Sequence, residues 1–178
     1  MTSALDSSPA SSHPIRRRFG RRKFDKQPAQ SASVLIAAPF GDPIPTSAVN
    51  HAVGLSEGDA VAVVTIARIY GSSMGLPNPG LMPTRKEMAE QKAQVEKAIR
   101  MIEKSGTQAW GQLAASRKPV KTIAEAARAR GVKHIVVVRT PQEKKWREFV
   151  EGDIVKDISR KLGPEVHVEG MSPAPVGK

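Results

Sequence analysis

Three short, predominantly apolar runs constrain this chain more than any other feature: Val34-Leu35-Ile36-Ala37-Ala38, residues 60–69, and His134-Ile135-Val136-Val137-Val138. A strand with one wet face alternates apolar and polar residues, whereas a strand covered on both faces reads as a continuous apolar run. Runs of this length rich in valine and isoleucine therefore predict buried strands of a parallel sheet. Parallel neighbours need crossover connections, so helices are expected between them.

The intervening segments supply those helices. Residues 47–55 carry a weak helical pattern that stops at Glu57-Gly58-Asp59. Thr84-Arg85-Lys86-Glu87 has the form of a capping box, in which the threonine hydroxyl and the glutamate carboxylate each satisfy one orphan N–H. The helix it opens is expected to run to about Ser105, with Met88, Val95, Ile99 and Ile102 on one stripe and Gly106 as its stop. Residues 108–115 read as a less hydrophobic strand. Val120, Ile123, Ala124 and Ala127 mark a helix opened by Pro119 and closed by Gly131, the proline-first, glycine-last asymmetry. Ile154, Val155, Ile158 and Leu162 mark a last helix ending at Gly163-Pro164, followed by a short strand over 165–169. The expected order is β-α-β-α-β-α-β-α-β. It predicts an α/β fold, a single Rossmann-like domain with a five-stranded parallel sheet flanked by helices.

Composition divides the chain. Its net charge is +11, and residues 1–30 hold seven basic against two acidic residues. Those residues are mainly Ser, Ala, Pro and Arg, with too little apolar surface to offset the entropy of ordering. The expected organisation is a disordered basic N-terminal tail over 1–32, an α/β domain over 33–170, and a flexible C-terminal tail over 171–178. Within the first tail, Arg16, Arg17, Arg18, Phe19, Arg21, Arg22, Lys23 and Phe24 interleave cations with aromatic rings. That pattern suits phosphate neutralisation and base stacking, and so points to RNA or ribosome contact. The same arginines resemble a twin-arginine export signal. The only apolar run that could serve as its h-region is Val34–Ala38, whose removal would delete the first strand.

Other chemistry is limited by what the chain lacks. There is no cysteine, so disulfides, thiolate metal sites and cysteine nucleophiles are excluded. No run approaches the roughly 18 apolar residues of a membrane-spanning helix, so no membrane partner and a cytoplasmic location are expected. The four histidines, His13, His51, His134 and His167, have no local metal-ligand spacing and read as sheet or surface residues. Ser72, Ser73 and Thr140 lie near the expected carboxyl ends of strands, where ligands sit in open parallel sheets, but no histidine and acid are spaced to activate them. A G-x-x-x-x-G-K-[ST] phosphate loop is absent. The loop over 71–83, rich in proline and glycine, is expected either to cover a ligand, to present Leu76, Leu81 and Met82 to a partner, or to pack across its own sheet.

The element order and lengths over residues 33–169 resemble the universal stress protein family. In that family an aspartate at the end of the first strand contacts adenine, and a G-x-x-G-x9-G-[ST] loop after the fourth strand holds the phosphates. Laid on that pattern, Gly152 takes the closing glycine and Asp153 the hydroxyl position, while the early glycines fall in the Gln142-Glu143-Lys144-Lys145 stretch. Pro39 takes the adenine-contacting position, with Asp42 three residues on. The departures from that loop point to a binding and regulatory protein that is not catalytic, and the resemblance implies dimerisation through the last strand, where Val166 and Val168 share a face. It also implies an alternative, a sensor of ATP, AMP or cyclic AMP. In that reading Asp42, Thr140, Gly152, Asp153, Lys144 and Lys145 form a variant site, with the lysines meeting phosphate through side chains rather than backbone.

Overall fold

The structure, a computed structural model, describes residues 31–69, 82–139 and 153–172. The strands are β1 (Val34–Ala38), β2 (Val61–Arg68), β3 (Ala109–Ser116), β4 (His134–Val138) and β5 (His167–Met171). The helices between them are α1 (Thr46–Ser56), α2 (Arg85–Lys104), α3 (Pro119–Arg130) and α4 (Ile154–Leu162). The sheet has the order β3-β2-β1-β4-β5 and every pairing is parallel.

The continuous apolar runs have the cause expected of them, because both faces of the sheet are covered. Leu35 and Ala37 of β1 join Ala62, Val64, Ile135 and Val137 in a layer closed by Ile123 and Ala127 of α3 and Ile158 of α4. Val34, Ile36 and Ala38 point the other way, with Val61, Val63, Val136 and Val138, into a layer closed by Val49 of α1 and Val95 and Ile102 of α2. β1 is buried at all five positions.

Local signals set the helix ends. The capping box forms in full: Glu87 N donates to Thr84 Oγ1 at 3.2 Å and Thr84 N donates to Glu87 Oε2 at 2.7 Å. α3 starts at Pro119 and stops at Gly131, whose φ of +66° continues no right-handed helix.

β5 is the one element displaced from its expected place. It spans His167–Met171 rather than 165–169, because Pro164 and Glu165 form the turn that brings the chain out of α4. Val166 and Val168 nonetheless both pack against the α3–α4 layer. The expectations for residues 1–30, for 70–81 and for 173–178 lie outside the described residues; Met82, at the end of the second of these segments, is exposed.

Helix packing depends on one missing side chain in β3. A Cβ at Gly111 would stand 2.5 Å from both Ile99 Cδ1 and Val95 Cγ1, so α2 sits against β3 only because this position has none. Gly54, inside α1, has nothing within 4 Å of the equivalent point. Gly111→Val should therefore lower unfolding free energy by about 1–3 kcal/mol through overpacking. Gly54→Ala should raise it by roughly 0.5–1 kcal/mol by removing a flexible residue from a helix. Urea unfolding of both variants checks the pair; equal destabilisation would refute the packing account.

Candidate functional site

In an open parallel sheet the ligand crevice forms where neighbouring strands lead their connections in opposite directions. Here that point lies between β1 and β4, since β1 leads on to β2 and β3 on one side while β5 lies on the other. The carboxyl ends of these two central strands place the candidate site.

On the β1 side the chain turns through Pro39, Phe40, Gly41 and Asp42. Gly41 has a φ of +72°, and a Cβ there would run into the side-chain amide of Gln91 from α2. Two constraints therefore select glycine, the backbone conformation and the approach of α2. Asp42 follows half-buried and forms no ion pair among the described residues.

On the β4 side, Arg139 follows directly on the strand. Its backbone N donates to Met171 O at 2.9 Å, which ties it to the end of β5. Its side chain lies across Gly170, where a Cβ would be 2.9 Å from Arg139 Cδ and 3.2 Å from Val155 Cγ2. From there Arg139 Nη2 donates to Asp153 Oδ1 at 3.2 Å. Asp153 is the N-cap of α4: the same Oδ1 accepts from Val155 N at 3.1 Å and from Lys156 N at 3.5 Å, and Lys156 Nζ stands 3.8 Å from Oδ2. A guanidinium, an ammonium and the positive end of a helix thus converge on one carboxylate.

The chemistry of this cluster is that of an anion cradle. Backbone N–H groups at a helix N-terminus with flanking cations favour phosphate as well as carboxylate. Asp153 already supplies the anion. The fit to a phosphate is good in its donors, and the resident carboxylate would compete with the incoming charge.

Of the residues singled out in the sequence, the structure brings Asp153 into this cluster and puts Asp42 at the end of the β1 turn. Thr140, Lys144, Lys145 and Gly152 lie outside the described residues, as do Arg16, Arg17, Arg18, Phe19, Arg21, Arg22, Lys23 and Phe24, and Ser72 and Ser73. No group of three metal-ligating side chains occurs among the described residues, and no described helix is long and apolar enough to cross a membrane. His134 and His167 sit on adjacent strands with ring centroids 6.0 Å apart. His51 of α1 meets Glu169 of β5 at 2.6 Å, fastening α1 over β4 to the edge strand.

Sequence reasoning missed the Arg139–Asp153 pair and the opening at Gly170. A signal was present for the pair: a basic residue just past an apolar run, and an Asp just before the next helical pattern, are a strand-end cation and an N-cap facing the same crevice. Thr65 was also missed. It is fully buried on β2 beside Ala38, and its hydroxyl has no hydrogen-bond partner among the described residues.

No protein-family model matches the chain, and no curated protein matches it. Solved structures do. A protein of the universal stress protein family from Burkholderia pseudomallei aligns with a TM-score of 0.54 at 14% identity, over 79% of this chain and 96% of that one. A universal stress protein in complex with cAMP aligns at 0.51 and 12% identity, covering 80% and 97%. The universal stress protein of Archaeoglobus fulgidus aligns at 0.50 and 18% identity, covering 79% and 97%. The fold of this chain is that of the universal stress proteins.

Proposed function

We propose that this chain is a universal stress protein-like binding protein, not a catalyst, whose crevice between β1 and β4 takes an adenine nucleotide: ATP, AMP or cyclic AMP. The observation that carries the reading is the cradle of Arg139, Lys156 and the N-terminus of α4 at the carboxyl end of β4, the strand that bounds the switch point on one side. The complex of a similarly folded protein with cAMP supports the ligand class.

In this reading Arg139 meets the phosphate, with Thr140, Gly152, Lys144 and Lys145 completing the phosphate side and Asp42 on the adenine side. Asp153 is the tuning group. Its carboxylate occupies the donors a phosphate would use, so it weakens binding more for a highly charged ligand than for a singly charged one.

Two further features belong to the proposal. β5 is the edge strand on the α4 side of the sheet, and an edge offers unpaired backbone groups to a second copy; we assign it the homodimer contact. The basic segment Arg16-Arg17-Arg18-Phe19-Gly20-Arg21-Arg22-Lys23-Phe24 is assigned RNA or ribosome contact. Ala32 N bonds to Arg130 O at 3.1 Å, so the tail joins the domain at the amino ends of the strands, away from the crevice.

Isothermal titration of the full-length protein with ATP, AMP and cyclic AMP tests the first claim. Micromolar binding is expected, weakened in Arg139→Met. Asp153→Ser keeps a capping oxygen but removes the charge, and should tighten ATP binding about fivefold to tenfold, roughly 1 kcal/mol, with a smaller gain for cyclic AMP. No heat with any of the three, in the wild type and in Asp153→Ser alike, would overturn the nucleotide reading.

Sedimentation equilibrium at tens of micromolar should give the mass of two chains; a single-chain mass would remove the dimer. If the tail binds RNA, affinity for a single-stranded oligonucleotide should fall steeply with salt. The slope of log K against log salt approaches about −5 if all seven cations of the tail engage phosphates. Binding unchanged on deletion of residues 1–30 would dismiss the tail.

A further inference from the structure

At the opposite end of the sheet from the crevice lies a second opening, an open cleft of about 550 Å³ at the amino ends of the strands. It is built by the segments that lead into β1, β2, β3 and β4. Their backbone groups are largely spent on one another: Ser33 N donates to Ala60 O at 3.1 Å, Val61 N to Gln108 O at 2.9 Å, and Lys133 N to Ser33 O at 2.9 Å. What remains to meet a ligand is the side chains, namely the hydroxyl of Ser31, the amide of Gln108, and the charges of Arg130, Lys133 and Asp59, while the Ser33 hydroxyl already donates to Ser56 O at 3.4 Å.

Arg130 makes the cleft chemically specific. Its guanidinium is partly withdrawn from water, yet both groups that it bonds are neutral: Nη1 donates to Ala126 O at 3.3 Å and Nη2 to Gln112 Oε1 at 3.0 Å. Its Nε is buried and donates to nothing. Burial lowers its proton affinity below the usual arginine value. A half-buried cation without a counterion is costly, and a guanidinium N–H with no acceptor adds to that cost. Neither Arg130 nor Lys133 forms an ion pair among the described residues, and Asp59 takes part in none. The lining therefore carries two cations against one carboxylate. An anion seated there would accept from the N–H groups of Nη1 and Nη2 that Ala126 O and Gln112 Oε1 leave unused, and neutralise a charge that the fold leaves uncompensated.

We infer that this cleft is a second ligand site, one that holds a small anion through a phosphate or carboxylate group, with Arg130 and Lys133 as its ion-pairing residues and Ser31 and Gln108 as hydrogen-bonding partners. Asp59 limits the net charge of the lining to one positive unit, which suits a singly or doubly charged group rather than a polyanion. The site is separate from the nucleotide crevice. It lies at the other end of the same strands, so its occupation does not depend on the reading proposed for Arg139 and Asp153.

The test is an NMR titration of the ¹⁵N-labelled full-length protein with inorganic phosphate, and separately with succinate, at constant ionic strength. Saturable shifts are expected at Arg130 Nε–Hε and at the backbone amides of Gly58, Gly131 and Lys133. Saturation by phosphate alone, by succinate alone or by both identifies the group that is held. Lys133→Gln, at an exposed position, should weaken binding about tenfold and leave the rest of the spectrum in place. Arg130→Gln should abolish it, and Arg139→Met should leave it unchanged. Shifts that never saturate with either anion, that persist equally in Lys133→Gln, or that map to Arg139 and α4 would each overturn the site.

Discussion

β1 is hydrogen-bonded on both sides, to β2 and to β4, and none of its five side chains reaches water. A parallel central strand of this kind cannot be stabilised by its own hairpin; it needs two crossovers and a helical layer on each face. Everything else follows from meeting that demand. Odd and even positions of β1 must be served by different helices, so α3 and α4 close one layer and α1 and α2 the other. The reversal of chain direction around β1 then opens the crevice at one end and gathers four strand entries at the other. The two proposed binding surfaces are a by-product of covering one strand.

How much of this was legible in the sequence depended on whether a feature was local. The apolar runs at 34–38 and 134–138 identify two-sided burial because no amphipathic strand would tolerate them. The capping box at Thr84 and the Pro119 and Gly131 boundaries are complete within four or so residues, and each forms as its chemistry requires. β5 was displaced by two residues because an edge strand has only a weak apolar signature, and Glu165 and Val166, which lie outside the strand in the structure, have side chains that do not forbid one. The site was less legible. Asp42 and Asp153 could be named from sequence, but the Arg139–Asp153 contact spans fourteen positions, and the clearance at Gly170 depends on β5 lying beside β4. Arg130 gives no sign of its isolation in sequence. In the fold it meets only a carbonyl of its own helix and an amide of β3.

Gly111, Gly41 and Gly170 play one role at three places. Each removes a side chain where a neighbour comes close: Val95 and Ile99 at β3, Gln91 at the β1 turn, Arg139 at β5. The first sets how tightly α2 packs. The other two shape the crevice, since Gly41 lets α2 approach one wall and Gly170 lets Arg139 lie flat along the other. Packing and the shape of the candidate site thus depend on the same device, and a larger residue at Gly170 would act there by moving Arg139.

The charges at the two ends of the sheet pose opposite problems. At the crevice, Arg139, Lys156 and the N-terminus of α4 share a resident carboxylate, so the cluster is electrostatically complete and a ligand must compete for its donors. At the amino end, Arg130 is withdrawn from water with neutral partners only, so the cluster is incomplete and a ligand would relieve it. An internal anion raises the affinity threshold for an external one, because displacing Asp153 exposes two cap N–H groups as well as two cations. In the proposed reading the crevice would discriminate among ligands by charge, favouring those that can satisfy Arg139 without evicting the cap. In the lower cleft the one lining carboxylate, Asp59, is paired with neither cation among the described residues, so an anion proposed there would displace no existing ion pair.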